Sequence, residues 1–283
     1  MKNRLILVEG IPGSGKSTIA QKINDFLKSK GLKVKLYSEG DLHPADLAWQ
    51  ACLTLDEYHQ VVKENPDLKT VLEQYSQIEG EQAIVAYTKL GIPMKSKGIN
   101  EYLSSKEVYD GKVNLDTFRE LHFKRWQAFG ANSLNDDHVY IFECAYLQNH
   151  INELMGSYCK DTDDVISYML QLMDTVKSLN PKLIYLSQPD VRQTIQRVAE
   201  ERVSSDKSKW DDWIDLVIKY VESSKYGQVK KLEGYEGVIS FIEDRKRLEE
   251  MVMDRLDIEK ATICNRDYDW DKVFDEVIAQ LVC

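Results

Sequence analysis

The run Gly10-Ile11-Pro12-Gly13-Ser14-Gly15-Lys16-Ser17 fits the spacing G-x-x-x-x-G-K-[ST] at every fixed position. Several N–H donors converging on one point are what a polyphosphate needs. Glycine supplies the positive φ angles and the close backbone approach that such a turn requires. Ile19, Ile23, Phe26 and Leu27 recur at helical spacing just after the loop, so a helix N-terminus would point its free N–H groups and its positive dipole end at the same spot. Lys16 would reach the β- and γ-phosphates, and the Ser17 hydroxyl would hold Mg²⁺. The segment Gly10–Thr18 is therefore predicted to cradle the phosphates of a nucleotide such as ATP. The chain carries no Asn-Lys-x-Asp guanine signature.

The loop must be held by a strand before it and a helix after it. Leu5–Val8 is a continuous apolar run, as are Val139–Phe142 and Leu183–Leu186. Such runs suit parallel strands covered on both faces. Val34–Tyr37 and Lys260–Cys264 interleave lysine with apolar residues and read as strands at or near the edges. Long helical patterns separate these five strands, so the predicted class is α/β with a mainly parallel sheet.

The spacing between strands is uneven. About thirty residues separate the first two, an ordinary βαβ unit. The stretch 42–137 is too long for a loop and is predicted to be a mainly helical substrate lobe. Val71, Tyr75, Ile78, Gln82 and Val85 fall near one helical face, and Phe118, Leu121, His122 and Arg125 near another. Asn65-Pro66, Gly91-Ile92-Pro93 and Gly111 punctuate it. A second insertion, 190–257, is predicted to form a lid and two further helices. One carries the stripe Trp210, Trp213, Ile214, Val217, Ile218 and Val221, and the other spans Val238–Leu256. No linker, repeat or low-complexity tract divides the chain, which reads as one domain over 1–283.

Ligands of a doubly wound sheet bind at the carboxyl ends of its strands. The second strand ends in Ser38-Glu39-Gly40-Asp41, and either Glu39 or Asp41 could act as base toward a substrate hydroxyl. Asp41 serves equally well as a helix cap. The third strand ends in Glu143, an acid in a place where acids are rare unless paired or liganded, and is predicted to sit beside Mg²⁺. The fourth strand runs into Pro189-Asp190 and a helix with Arg192, Arg197 and Arg202. Arg197 or Arg202 could neutralise a transferring phosphoryl group, although Glu201 four residues on offers Arg197 an ordinary surface pair. Lys207 and Lys209 are weaker candidates. In the lobe, Trp49, Arg119 and Arg125 are the predicted acceptor contacts, with His43, Tyr75, Lys124 and Trp126 as further possibilities; the plainer reading for each is helix packing.

Composition excludes several classes. A net charge of −10 and a pI near 5.1 argue against a nucleic-acid footprint. Lys28–Lys33 reads as a helix C-terminus capped by Gly31, and Arg245-Lys246-Arg247 as the solvated face of a helix. No apolar run is long enough to span a bilayer, and the short apolar stretch before the glycine loop predicts no signal peptide. Cysteines at 52, 144, 159, 264 and 283 form no CxxC pair, which suggests reduced thiols and a cytoplasmic protein; Cys144 and Cys264 read as small core residues. The histidines form no recognised metal motif.

Together these marks resemble the P-loop small-molecule kinases of the nucleoside and nucleoside-monophosphate kinase group, which includes thymidylate kinase-like proteins. The resemblance implies a three-layer P-loop NTPase fold with sheet order 2-3-1-4-5, matching the edge positions read from the hydrophobic runs. It also implies an ATP·Mg²⁺-dependent phosphotransferase with a lid after strand four. The base would lie near Glu39 or Asp41, the metal-organising acid would be Glu143, and Asn265-Arg266-Asp267 would lie near the adenine. The chain departs from the group after strand three, where Glu143-Cys144-Ala145 stands in place of the group's acid-arginine pairs. The expected partners are a nucleotide and a small-molecule acceptor. The alternative is a nucleotide-binding interaction protein with little or no turnover.

Overall fold

The computed structural model describes residues 2–92 and 98–281. Pro93, part of the expected lobe punctuation, and Cys283 lie outside the described residues. β1 (Leu5–Glu9) enters the glycine loop, α1 (Lys16–Ser29) leaves it, and β2 (Val34–Tyr37) follows. α1 stops where Gly31 takes a positive φ and the Leu32 N–H bonds the Leu27 carbonyl, a glycine C-terminus of the expected kind. The lobe comprises β3 (Ala51–Thr54), α2 (Leu55–Glu64), α3 (Lys69–Gln74), β4 (Ser76–Glu79), β5 (Gln82–Val85), α4 (Ile99–Ser105) and α5 (Leu115–Ser133). The chain then returns to the sheet through β6 (Val139–Glu143), α6 (Leu147–Asn152), a π-helical turn at Glu153–Ser157, α7 (Thr162–Asp174) and β7 (Lys182–Ser187). α8 (Val191–Glu201), α9 (Trp213–Ser223), α10 (Lys225–Lys230), α11 (Gly234–Arg255), β8 (Glu259–Cys264) and α12 (Trp270–Leu281) complete it.

All five expected strands form, and they pair in the order β2-β6-β1-β7-β8. Every pairing is parallel. The three apolar runs are central and wholly buried, and the two lysine-bearing strands are the edges. Alternation along β1 explains the layers. Ile6 and Val8 pack with Ile19 and Ile23 of α1 and Val277 of α12. Leu5 and Leu7 pack on the other face with Phe118, Trp126, Tyr146, Met169 and Phe241 from the lobe and the later helices.

The lobe is mainly helical as expected, but part of it read as helix is sheet. It contains a second, antiparallel sheet in the order β3-β5-β4. The apparent helical face Val71–Val85 is divided: Val71 lies on α3, Ile78 on β4, and Gln82 and Val85 on β5. Gly80 explains the difference. It takes a φ of 60° in the two-residue Gly80-Glu81 connection between Glu79 and Gln82, so the chain reverses where a helix would continue. The α5 stripe is as expected, with Phe118, His122 and Arg125 buried.

Two further expectations are overturned. Arg245 is not on a solvated face: it is 3% exposed on α11, which packs against α7 and α9, and its Nε lies 3.0 Å from the fully buried Glu249. Cys264 is exposed, because it ends an edge strand, whereas Cys144 is buried as expected. No described helix is long and apolar enough to cross a membrane.

Trp126 is fully buried and meets Phe142, Tyr146 and His150 edge-on. It is a packing residue between lobe and sheet rather than an acceptor contact. Trp126→Ala should destabilise the fold by about 3–5 kcal/mol, measured by denaturant unfolding.

Candidate functional site

The glycine loop closes at the carboxyl end of β1. Gly10, Gly13 and Gly15 take φ angles of 144°, 79° and 95°. A Cβ at Gly15 would lie 2.5 Å from the Trp270 ring, and one at Gly10 would lie 2.5 Å from the Leu186 carbonyl oxygen, so both glycines are required by close approach as well as by φ. The Lys16 ammonium is folded back, donating at 2.9 Å to the carbonyls of Gly10 and Ile11. Ser17 donates through Oγ to Glu143 Oε1 at 2.5 Å, so the acid ending β6 meets the loop hydroxyl. Two hard oxygen donors this close fit a magnesium site.

The loop is fixed from beneath by groups that sequence reading partly missed. Glu9, the last residue of β1, is fully buried and accepts the N–H groups of Tyr146 and Gln148. Burial pushes its carboxyl up to about 7, against the lowering effect of those two bonds. Asn265 donates to the Ser14 carbonyl at 2.8 Å, while its own carbonyl accepts from Gln188. Asn265 therefore braces the phosphate loop. Arg266 lies with Arg197 and Tyr268 on a neighbouring cavity.

The loop opens on a cavity of about 320 Å³ lined by Pro12, Gly13, Gly15, Lys16, Ser17 and Thr18 on one side. Glu39, Glu143, Gln148, Arg197, Arg202 and Trp213 line the others. Both candidate arginines thus reach it. Arg197 stacks with its guanidinium carbon 3.6 Å from the Tyr268 ring centre and bonds Glu201, the surface pair anticipated from their spacing. Arg202 lies 5.7 Å from the Trp213 ring centre. Lys207 and Lys209 are paired with Asp212 and Asp206.

Of the two candidate bases, only Glu39 faces this cavity. Its Oε1 accepts from Trp49 Nε1 at 3.2 Å and from Gln148 Nε2 at 3.4 Å. Asp41 turns back on its own loop, accepting from the Ser38 N–H and pairing with Lys89. The helix-capping role weighed for Asp41 is not realised, because the next element is β3 and Asp41 closes a turn instead.

A second cavity of about 340 Å³ adjoins the first and shares Pro12, Glu39, Gln148 and Trp213 with it. Trp49, Tyr109, Tyr220 and Phe241 give it an aromatic lining, and Glu107, Asp110 and Glu153 give it an acidic one. Trp49 therefore lies on the wall of this cavity. Its non-glycine φ of 60° is held by a bond from its N–H to Glu107.

Arg119 and Arg125 are not on either cavity. Arg119 stacks over Tyr168. Arg125 pairs with Glu79 and donates to the His43 carbonyl, tying α5 to the hairpin. Lys124 makes a surface pair with Glu120, and Tyr75 packs in the lobe core. His43 is buried, accepting the Ala45 and Asp46 N–H groups through Nδ1, and burial pulls it down to about 4. These residues look functional in sequence because they are polar or aromatic; packing turns Arg125 and His43 inward, and Lys124 stays on the surface. Trp213 carried no signal beyond its helical stripe, and Gln148 carried none.

Sheet order and loop geometry together define a P-loop nucleotide-binding fold. A family model described as chromatin associated protein KTI12 matches residues 4–74, which contain β1, the glycine loop, α1 and β2. No curated protein sequence matches the chain. Among solved structures, it is similar to a deoxyadenosine kinase from M. mycoides with bound dATP, at 13% identity and a TM-score of 0.42, over 99% of this chain and 100% of that one.

The buried acids set the pH response of the site. Burial, with Asp110 nearby, pushes Glu107 up to about 7, and burial does the same to Glu153. A carboxyl whose folded pKa exceeds its unfolded one binds its proton more tightly when folded, so its contribution falls as pH rises from about 4.5 through about 7. Glutamine at 107 can still accept the Trp49 N–H and can donate to the Tyr87 oxygen with that hydroxyl bond reversed, while the 3.6 Å ion pair with Lys112 is lost. The Tm of Glu107→Gln relative to the parent protein should therefore rise between pH 5 and 8. A difference that stays flat over that range would show that Glu107 ionises normally.

Proposed function

We propose that this protein is an ATP·Mg²⁺-dependent phosphotransferase acting on a hydroxyl-bearing small molecule. The observation that carries the reading is the shared wall between the two cavities, where Glu39 stands between the phosphate loop and an aromatic, acid-lined pocket. An acceptor bound in the second cavity would present its hydroxyl to Glu39 at the mouth of the first. Glu39 takes the hydroxyl proton as the oxygen attacks the γ-phosphorus. The bond from phosphorus to the β–γ bridging oxygen breaks and ADP departs. Lys16 swings from the Gly10 and Ile11 carbonyls to the β/γ-phosphates, and Arg197 or Arg202 stabilises charge on the equatorial oxygens. Mg²⁺, held at Ser17 with Glu143 behind it, would screen the phosphate charge.

A second reading, a nucleotide-gated interaction protein, is favoured by one specific observation. Cys144, not an arginine, follows Glu143, and burial raises its thiol well above the ordinary range, so it supplies no charge to the cavity. The description of the family matching residues 4–74 as chromatin associated points the same way.

ADP release measured with and without pooled nucleosides, sugars and amino alcohols separates the readings. Stimulation by one pool is expected; slow hydrolysis indifferent to every pool would favour the second. With the active pool, Lys16→Ala should lose at least about a hundredfold in turnover, roughly 3 kcal/mol. Glu39→Gln should lose about 10²–10⁴-fold, and Asp41→Asn much less. Equal losses in the last two variants would remove Glu39 from the role of base.

A further inference from the structure

Behind the acceptor pocket lies a fully buried cluster that the phosphotransfer chemistry does not use. Asp46 follows β2, His122 lies on α5 and His150 on α6. One ligand atom from each lies within 4.8 Å of the others. Both histidines are 0% exposed and Asp46 is 3% exposed.

The hydrogen bonds orient the rings. His122 Nδ1 lies 2.9 Å from the Phe118 carbonyl oxygen, which can only accept, so Nδ1 carries a proton. His122 Nε2 then faces Asp46 Oδ1 at 3.5 Å with no hydrogen-bond partner. In His150, Nδ1 lies 3.2 Å from the Tyr168 hydroxyl, which can donate or accept, and Nε2 is buried without a hydrogen-bond partner. Asp46 is held in turn by Tyr109, which donates to Oδ1 at 2.5 Å, and by Asn149, which donates to Oδ2 at 2.7 Å. Among the described residues, no lysine or arginine pairs with Asp46.

A buried carboxylate facing an imidazole lone pair is two acceptors in contact, and it requires a cation between them. Metal-binding histidines characteristically donate their other ring N–H to a carbonyl or similar acceptor, and ligating carboxylates are themselves hydrogen-bonded. The 3.5 Å separation is also close to the edge of a zinc tetrahedron, about 3.3 Å for bonds of about 2.0–2.1 Å.

We propose that Asp46, His122 and His150 bind a divalent transition metal of the zinc class. The three residues are sealed from solvent, so the metal would act by holding elements together rather than by meeting substrate. It joins the segment after β2, α5 and α6. Through Asn149 and Tyr109, which both bond Asp46 and both line the acceptor pocket, it fixes the floor of that pocket.

The test uses the full chain produced in zinc-supplemented medium and freed of loose metal by gel filtration. Elemental analysis should find about one zinc per chain. Protein produced with Co²⁺ should show the visible absorption of tetrahedral cobalt. Ser17→Ala, which removes a hydroxyl of the phosphate loop, should retain the zinc. His122→Gln and His150→Gln should fall to roughly a tenth of an equivalent or less. Circular dichroism and an ATP-induced rise in Tm serve as evidence that these variants fold. Independently of any variant, a strong chelator should lower the Tm of the zinc-loaded parent protein in the absence of nucleotide. Less than roughly a tenth of an equivalent of zinc in the parent protein, or zinc retained in the folded His122→Gln/His150→Gln double variant, would overturn the proposal. The cation between Asp46 and His122 would then be a proton on the imidazole.

Discussion

Everything at this site depends on keeping a ring of backbone donors open in a turn that would otherwise collapse on itself. The glycine loop spends three residues at positive φ, and its lysine, in this conformation, closes on the loop's own carbonyls. What holds the turn is buried polar bonding from two directions. Asn265, at the end of β8, reaches the Ser14 carbonyl, and its backbone N–H bonds Ser187 at the end of β7. Glu9, directly before the loop, anchors the backbone that follows β6. Three strand ends are thereby locked to one loop. Each of these bonds lies in a region of low dielectric, where an unmade bond would be costly.

The same constraint explains where chemistry can occur. Parallel strands present all their carboxyl ends on one side of the sheet, so Glu39 after β2 and Glu143 on β6 arrive beside the loop because of strand direction. The lobe and the α8–α11 insertion then build walls on that side. Trp213 of α9 stands in both cavities, and α11 contributes Phe241 and Arg245 to the second. The buried Arg245–Glu249 pair is therefore part of the support of the second cavity, not a surface ornament.

Much of this was readable from the residues. Continuous apolar runs marked the central strands, and interleaved lysines marked the edges, because only a covered strand must be apolar on both faces. The glycine loop was legible through spacing alone. Legibility ended in the lobe. There a three-to-four-residue recurrence arose from two short strands and a turn, and a periodicity count cannot tell that from a helix without weighing Gly80. It ended also with Arg119, Arg125 and Trp126, whose chemistry suits a ligand but whose contacts are internal.

By itself the sequence determined the strand set, the edge and centre positions, and the phosphate-binding turn, because each follows from local pattern and backbone sterics. Tertiary structure alone decided which of Glu39 and Asp41 faces the cavity, since they are two residues apart and only the turn at Ser38 separates their directions. It alone brought Asp46, His122 and His150 together from three elements far apart in the chain. Local pattern encodes what a residue can form with its neighbours. Which distant residues share a buried space is set by how the helices pack, and no spacing rule records that.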